Sequence, residues 1–345
     1  MKANFRFQIF LATFLFIFNV ASNVFSQKIT AVTGVSITVE DLEAEVAFFT
    51  EILNFKKTGE SRLQGRAVAD LFGLTDTAVA IDIATLQLGA EQIRLLDFDG
   101  VESRPVPRFT RSNDLWFQHL AIVVSDMDAA YRKLLEQGVT HVSTAPQTLP
   151  DYLPKAAGIK AFYFRDPEGH NLELIWFPPG KGDPRWQHSS SANQKPSNQT
   201  PETRFMGIDN TAIAVSNTAR SMAFYRDGLG LVHGGHSENY GTEQEHLNQI
   251  FGARLDINGL HADTGFGVEF LRYIAPPGGR PYPSGSSPAD LWHYQTELLT
   301  DDLPGLIRKL ETGGFVKIST AVVEIDGRKL FLLRDPDGHA VLLQQ

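Results

Sequence analysis

The chain has no cysteine among its 345 residues. That excludes a disulfide scaffold, a thiolate nucleophile and a cysteine-ligated metal. Basic runs are missing too, and the net charge is −9. Such a balance argues against nucleic acid as a partner. The patterns GxxxxGK[ST], GxSxG and HExxH are all absent. A P-loop, a hydrolase nucleophile elbow and a zincin helix are therefore excluded.

What remains has the composition of a soluble globular protein, 42% hydrophobic and 21% charged. Its length suits two ordinary domains with real cores. Residues 1–26 stand apart. A basic start, MKANFRF, leads into the apolar run IFLATFLFIF, with small Val24 and Ser26 where a cleavage site needs them. The segment is expected to be a secretory signal peptide cut near Ser26, leaving no stable membrane span and a periplasmic or secreted protein, with an uncleaved anchor as the alternative. Loss of Lys2 and Arg6 takes the charge to about −11.

The mature chain repeats itself. VSITVEDLEAEVAFFTEIL (35–53) lies over TAIAVSNTARSMAFYRDGL (211–229) at an offset of 176. Arg104-Pro-Val-Pro lies over Arg280-Pro-Tyr-Pro at the same offset. RDPEGHNLELIWF, from Arg165, is echoed by RDPDGHAVLLQQ, from Arg334, at an offset of 169. A loop in the first half is thus seven residues longer. A stretch rich in Pro, Ser, Asn and Gln over 179–204 reads as a linker. It divides 30–178 from 205–345.

Each half divides again. VSITVEDLEAEVAFFTEIL and AIVVSDMDAAYRKLLEQG both run from a β-branched strand through an acidic turn into an amphipathic helix. Leu42, Val46, Phe49 and Leu53 are spaced as one helix face. Short strands with Gly and Pro turns follow. The expected fold class is α+β: four βαβββ modules over 30–100, 115–178, 205–275 and 290–345.

Four such modules in two pairs, one closing on DPEGHxxEL, resemble the vicinal oxygen chelate superfamily. That group includes glyoxalase I, extradiol dioxygenases, methylmalonyl-CoA epimerase and bleomycin or fosfomycin resistance proteins. The resemblance implies two glyoxalase-like domains, with a divalent metal held from two positions per module. One position is on the first strand, seven residues before the acidic turn; the other is on the last strand. Carried onto this chain, they fall on Gly34 and Arg94, His119 and Glu173, Asn210 and Glu269, and Gln295 and Leu342. His293 is in reserve. The metal set implied is therefore His119, Glu173, Glu269 and Asn210, suiting Zn, Fe, Mn or Ni.

Two pairings stay open. If each half closes on itself, the ligands are divided between two poor sites. If modules are exchanged, as in fused glyoxalases, modules two and three share His119, Glu173, Glu269 and Asn210, and modules one and four share almost nothing. Plainer roles fit the same residues. His119 suits a buried structural histidine, Glu173 a strand residue facing solvent, and Glu269 a solvated one. His170 and His339 are expected in turns, and Arg104 and Arg280 as bracing between modules.

With a metal, the resemblance implies a glyoxalase-like lyase or isomerase, with Glu173 or Glu269 as the catalytic base. An extradiol dioxygenase wants two histidines and fits less well. The alternative is a metal-free binding protein of the drug-resistance type. The expected partner is a small molecule, and a homodimer is compatible with the sequence.

Overall fold

The computed structural model describes residues 27–187, 204–311 and 315–345. The expected signal segment and 188–203 of the expected linker lie outside the described residues.

Four modules follow one another. The first runs through β1 (Ile29–Val39), α1 (Leu42–Ala47), β2 (Lys56–Gln64), α2 (Arg66–Phe72), β3 (Ala80–Leu88) and β4 (Glu91–Asp99). The second has β5 (Gln118–Val124), α3 (Met127–Glu136), β6 (Lys160–Arg165) and β7 (Asn171–Trp176). The third has β8 (Phe205–Ala214), α4 (Thr218–Met222), β9 (Val232–Tyr240), α5 (Thr242–Asn248), β10 (Arg254–His261) and β11 (Gly267–Ala275). The fourth has β12 (Tyr294–Thr300), α6 (Leu303–Glu311), β13 (Arg328–Arg334) and β14 (Ala340–Gln344).

The acidic turns explain where the leading helices start. Asp41, Asp126, Asn217 and Asp302 each accept a hydrogen bond from the backbone N–H three residues on, at 2.9–3.0 Å. Each satisfies a donor that the first helical turn leaves orphaned. The face predicted from Leu42, Val46, Phe49 and Leu53 packs into the main core, with Phe49 and Leu53 fully buried. The repeated DP-acid-G phrases are tight turns. The carboxylates of Asp166 and Asp335 accept from the N–H groups of His170 and His339, and Gly169 and Gly338 take φ of +96° and +111°. A side chain there would be strained.

The strands form two large mixed sheets. One runs β13-β14-β12-β1-β4-β3-β2, the other β9-β10-β11-β8-β5-β7-β6. Module one is therefore joined to module four, and module two to module three: this is the exchanged pairing. At each seam the first strands of two modules run antiparallel, β1 against β12 and β8 against β5. The outer faces and their helices share one core drawn from all four modules. Each inner face has its own smaller apolar cluster and curls around a cleft.

The RPxP loops fasten the exchange. Arg104, after module one, grips Asp290, before module four, through Nε and Nη2 at 2.7 and 2.6 Å. Arg280 does the same to Asp114 across modules three and two, at 3.1 and 2.7 Å. Their guanidinium groups lie over the rings of Trp292 and Trp116. Both aspartates are buried, while the two arginines are nearly half exposed, so each bidentate pair is wet on its arginine side.

The start of the stretch expected as a linker packs on the fold. A short turn, Pro184–Trp186, buries Trp186, whose Nε1 donates to Asp209 Oδ1 at 2.6 Å. Among the described residues no helix is long and apolar enough to cross a membrane.

Candidate active site

The cleft of modules two and three is floored by β5 and β8. Strand register decides which side chains point into it. His119 pairs with Ala212, Ala121 with Asn210 and with Glu173, and Ala212 with Glu269. Paired residues share a face, so His119, Glu173, Asn210 and Glu269 all lie on the concave one. Small Ala121 and Ala212 between them leave the floor open.

His119 and Glu173 are both buried, and His119 Nε2 lies 3.0 Å from Glu173 Oε2. Two ligand atoms at about 2.1 Å from one ion, set near a right angle, are about 3 Å apart. The pair is hydrogen-bonded at this distance, which is also the spacing of neighbouring metal ligands. Asn210 adds a buried Oδ1 with no partner. Glu269 faces the pair from β11 without closing on it, since the three ligand atoms are not gathered within 4.8 Å of one another. Its carboxyl is pushed up to about 8, first by burial and then by the charges of Glu173 and Asp209. A cation among these groups would relieve that repulsion, so the donor set fits a divalent ion.

Asp209 is a site residue that the strand pattern misses. The β5–β8 register slips between Ile208 and Asn210, and Asp209 lines the cavity beside Asn210. Bulges beside active sites re-aim side chains in this way. Burial raises the Asp209 carboxyl, while hydrogen bonds from Trp186 and Asn210 oppose the rise.

The cavity holds about 190 Å³. Tyr163 forms part of its wall, ring to ring with His119 at 4.8 Å. Burial, and then Glu173, push its phenol well above the usual range, so it stays a donor. Ser237 and Asn239 add polar groups from β9. Leu149, Ala156 and Ile159 supply an apolar wall. They belong to the connection between α3 and β6, the part of module two that accounts for its seven extra residues.

The other cleft carries the positions expected to be empty of ligands: Gly34, Arg94, Gln295 and Leu342. His293, the reserve candidate, is fully buried, with Nε2 at 3.2 Å from Gln295 Oε1. Burial, and then Arg334, push it down to about 3.

A third group lies outside both clefts. One ligand atom from each of Glu45, Glu168 and His170 lies within 4.8 Å of the others, the spacing of a possible metal site. His170 follows the DPEG turn and is buried, with Nδ1 at 2.7 Å from Asp166 Oδ2. Burial opposes its charge, but Asp166, Glu45 and Glu168 outweigh it and lift the imidazole to about 9. Glu45 is pushed up to about 9 in its turn, first by burial and then by Asp166, so this buried cluster holds protons of its own. His339, its counterpart, bonds instead to the Ala214 carbonyl at 2.9 Å.

Comparison with known proteins settles the family. The profile of the Glyoxalase/Bleomycin resistance protein/Dioxygenase superfamily matches residues 30–174 and 207–343. The chain belongs to that superfamily. A 2-epi-5-epi-valiolone epimerase from Actinomyces sp is 34% identical over 158 residues, which is 44% of this chain and 81% of that protein. Glyoxalase I from Zea mays superposes with a TM-score of 0.59 at 16% identity, covering 92% of each chain. A putative dioxygenase from Bacillus subtilis superposes at 0.55 and 12% identity, covering 92% of this chain and 85% of that one. At such identities the two structures speak for the superfamily fold alone.

Proposed function

We propose that the cleft of modules two and three is the active site of a divalent-metal-dependent isomerase or epimerase acting on a small oxygenated substrate. The 3.0 Å approach of His119 to Glu173 on the open floor, with Glu269 facing them, carries this reading. His119, Glu173 and Asn210 are the residues that would hold the ion, with Glu269 and Asp209 alongside. A bound divalent ion supplies Lewis acidity toward neighbouring substrate oxygens.

The chain's own groups handle protons. Glu173 on β7 and Glu269 on β11 flank the β5–β8 seam from opposite sides. A substrate lying on the seam turns one face to each. One carboxylate takes the proton from the carbon beside a carbonyl, and the other in its acid form returns a proton from the opposite face. The C–H bond is broken and remade with inversion. Tyr163 donates to a substrate oxygen, and the wall of Leu149, Ala156 and Ile159 keeps water away.

The curated relative's name supports valiolone-type ketones as the first substrates to try. The experiment is metal analysis after loading with Zn²⁺, Mn²⁺, Fe²⁺ or Ni²⁺, then proton NMR of such ketones in ²H₂O. Exchange of the proton beside the carbonyl by loaded wild-type protein, lost in Glu269→Ala, is the expected result. A protein that retains no ion overturns the metal. A loaded protein that exchanges no such proton overturns the epimerase. The active cleft is complete in one chain, so the reading needs no homodimer. We also propose export directed by residues 1–26, with the mature chain starting at Gln27. Amino-terminal sequencing that finds Met1 would refute it.

A further inference from the structure

The cleft of modules one and four is the larger cavity, about 320 Å³ against 190 Å³. It is built differently at the floor. Where the active cleft has Ala121 and Ala212, this one has Glu297 and Ser36; where the active cleft has Glu269, this one has Arg94. Arg94 Nη1 pairs with Glu297 Oε2, and Ser36 and Gln344 donate to the same carboxylate. Glu297 is 1% exposed. A side-chain cation already occupies the centre of the floor. Gly34 stands at the counterpart of Asn210, and a Cβ there would lie 3.6 Å from Glu297 Oε2, 3.8 Å from Arg94 Nη1 and 3.1 Å from the Gln92 carbonyl. A side chain added there would press on the Gln92 carbonyl and come into contact with the pair.

This floor has not closed the cavity. Leu63, Leu71, Phe72, Ile83, Leu96 and Leu342 wall it. On the floor, Arg94 and Gln295 leave donors facing it. Among the described residues, the one hydrogen bond of Arg94 goes to Glu297, and Gln295 uses its Oε1 on His293. The other guanidinium N–H groups and the Gln295 NH₂ are left for the cavity that both residues line. Glu297 matches the charge of Arg94, and at the rim Asp326 stands with Arg328. An uncompensated charge buried on such a neutral floor is costly.

We infer that the cleft of modules one and four is a metal-independent binding site for an uncharged, mostly apolar small molecule that presents one acceptor oxygen, such as a carbonyl, to Arg94 and Gln295. The apolar walls take the body of the ligand, and the unspent donors fix its orientation. The site is independent of the reaction in the other cleft.

The test is titration of the full-length protein with three probes of similar size, followed by calorimetry. 1-Tetralone has an apolar body and a carbonyl, tetralin lacks the oxygen, and 1-naphthoate is charged. Tetralone is expected to bind saturably and about tenfold tighter than tetralin, the scale of one hydrogen bond to a charged donor. Glu269→Ala should leave this binding unchanged. Ser61→Trp, at an exposed position lining this cavity, should weaken it at least tenfold without touching the buried pair. The double variant Arg94→Met with Glu297→Met should erase the tetralone preference while tetralin still binds. The inference is overturned if none of the probes binds, if tetralone has no preference over tetralin, if naphthoate binds tightest, or if Glu269→Ala rather than Ser61→Trp abolishes binding.

Discussion

Ala121 and Glu297 hold the same place in two related seams. Ala121 faces Asn210 across β5 and β8, and Glu297 faces Gly34 across β12 and β1. A methyl group leaves the first floor open to an ion, whereas a carboxylate in the second captures Arg94. This exchange, together with Arg94 in place of Glu269, gives the second cleft a side-chain cation that the first lacks.

The metal set can be dissected by ligand. His119→Ala and Glu173→Ala should each lower affinity for the loaded ion by about a hundredfold or more, beyond the loss typical of outer-shell partners. The increase in Tm on adding the ion should vanish with it. Asn210→Ala should cost less, because a neutral amide oxygen is the weakest donor of the set. Competition with a fluorescent chelator reads all three. Equal affinity in wild type and His119→Ala would remove the imidazole from the site.

The Arg94–Glu297 pair should behave as a buried unit. Arg94→Met alone leaves Glu297 charged and buried, and is expected to cost about 3 kcal/mol. Adding Glu297→Met should recover most of that loss, since both charges are then gone. Urea unfolding of the two single variants and the double one completes the cycle. Simple additivity would show that the pair is not coupled.

Arg280 and Arg104 should matter to module pairing. Asp114→Asn removes the charge partner of Arg280 at a buried position and is expected to cost about 2 kcal/mol. The effect should appear as faster proteolysis at the module two and three seam, with the other seam protected. Asp290→Asn should reverse that pattern. Limited proteolysis with mass spectrometry separates the two.

His293 predicts a pH dependence. Its folded value of about 3 lies below the unfolded value of about 6.5. The unfolded chain therefore binds the proton first as pH falls. The histidine's contribution is intact above about pH 6.5 and is lost progressively down to about pH 3. At pH 5 the loss is about 2 kcal/mol. His293→Gln should flatten the fall in Tm between pH 7 and pH 5 relative to wild type. Parallel curves would mean that the imidazole does not titrate against folding.

The modules were legible because their signals are local. The capping residues Asp41, Asp126, Asn217 and Asp302 and the two DP-acid-G turns stand in the repeat at fixed places. The pairing was not legible, because the first strands of all four modules are alike and either partner satisfies their edges. What distinguishes the partners is long-range: Arg104 reaches Asp290 across 186 positions of sequence. Asp209 escaped notice because a bulge breaks the two-residue alternation on which the ligand positions rest. Trp186 escaped because its neighbours, rich in Pro, Gly and Asp, have the composition of a spacer. Glu297 sits two places after Gln295, where the family pattern asks for nothing.

Exchange of modules also ties the two halves of the repeat together. Each cleft takes one wall from the first half and one from the second, so no break near the middle of the chain can yield a fragment that keeps either cleft whole. The repeat works as two strangers holding each other's keys, since each half supplies one module to each chamber.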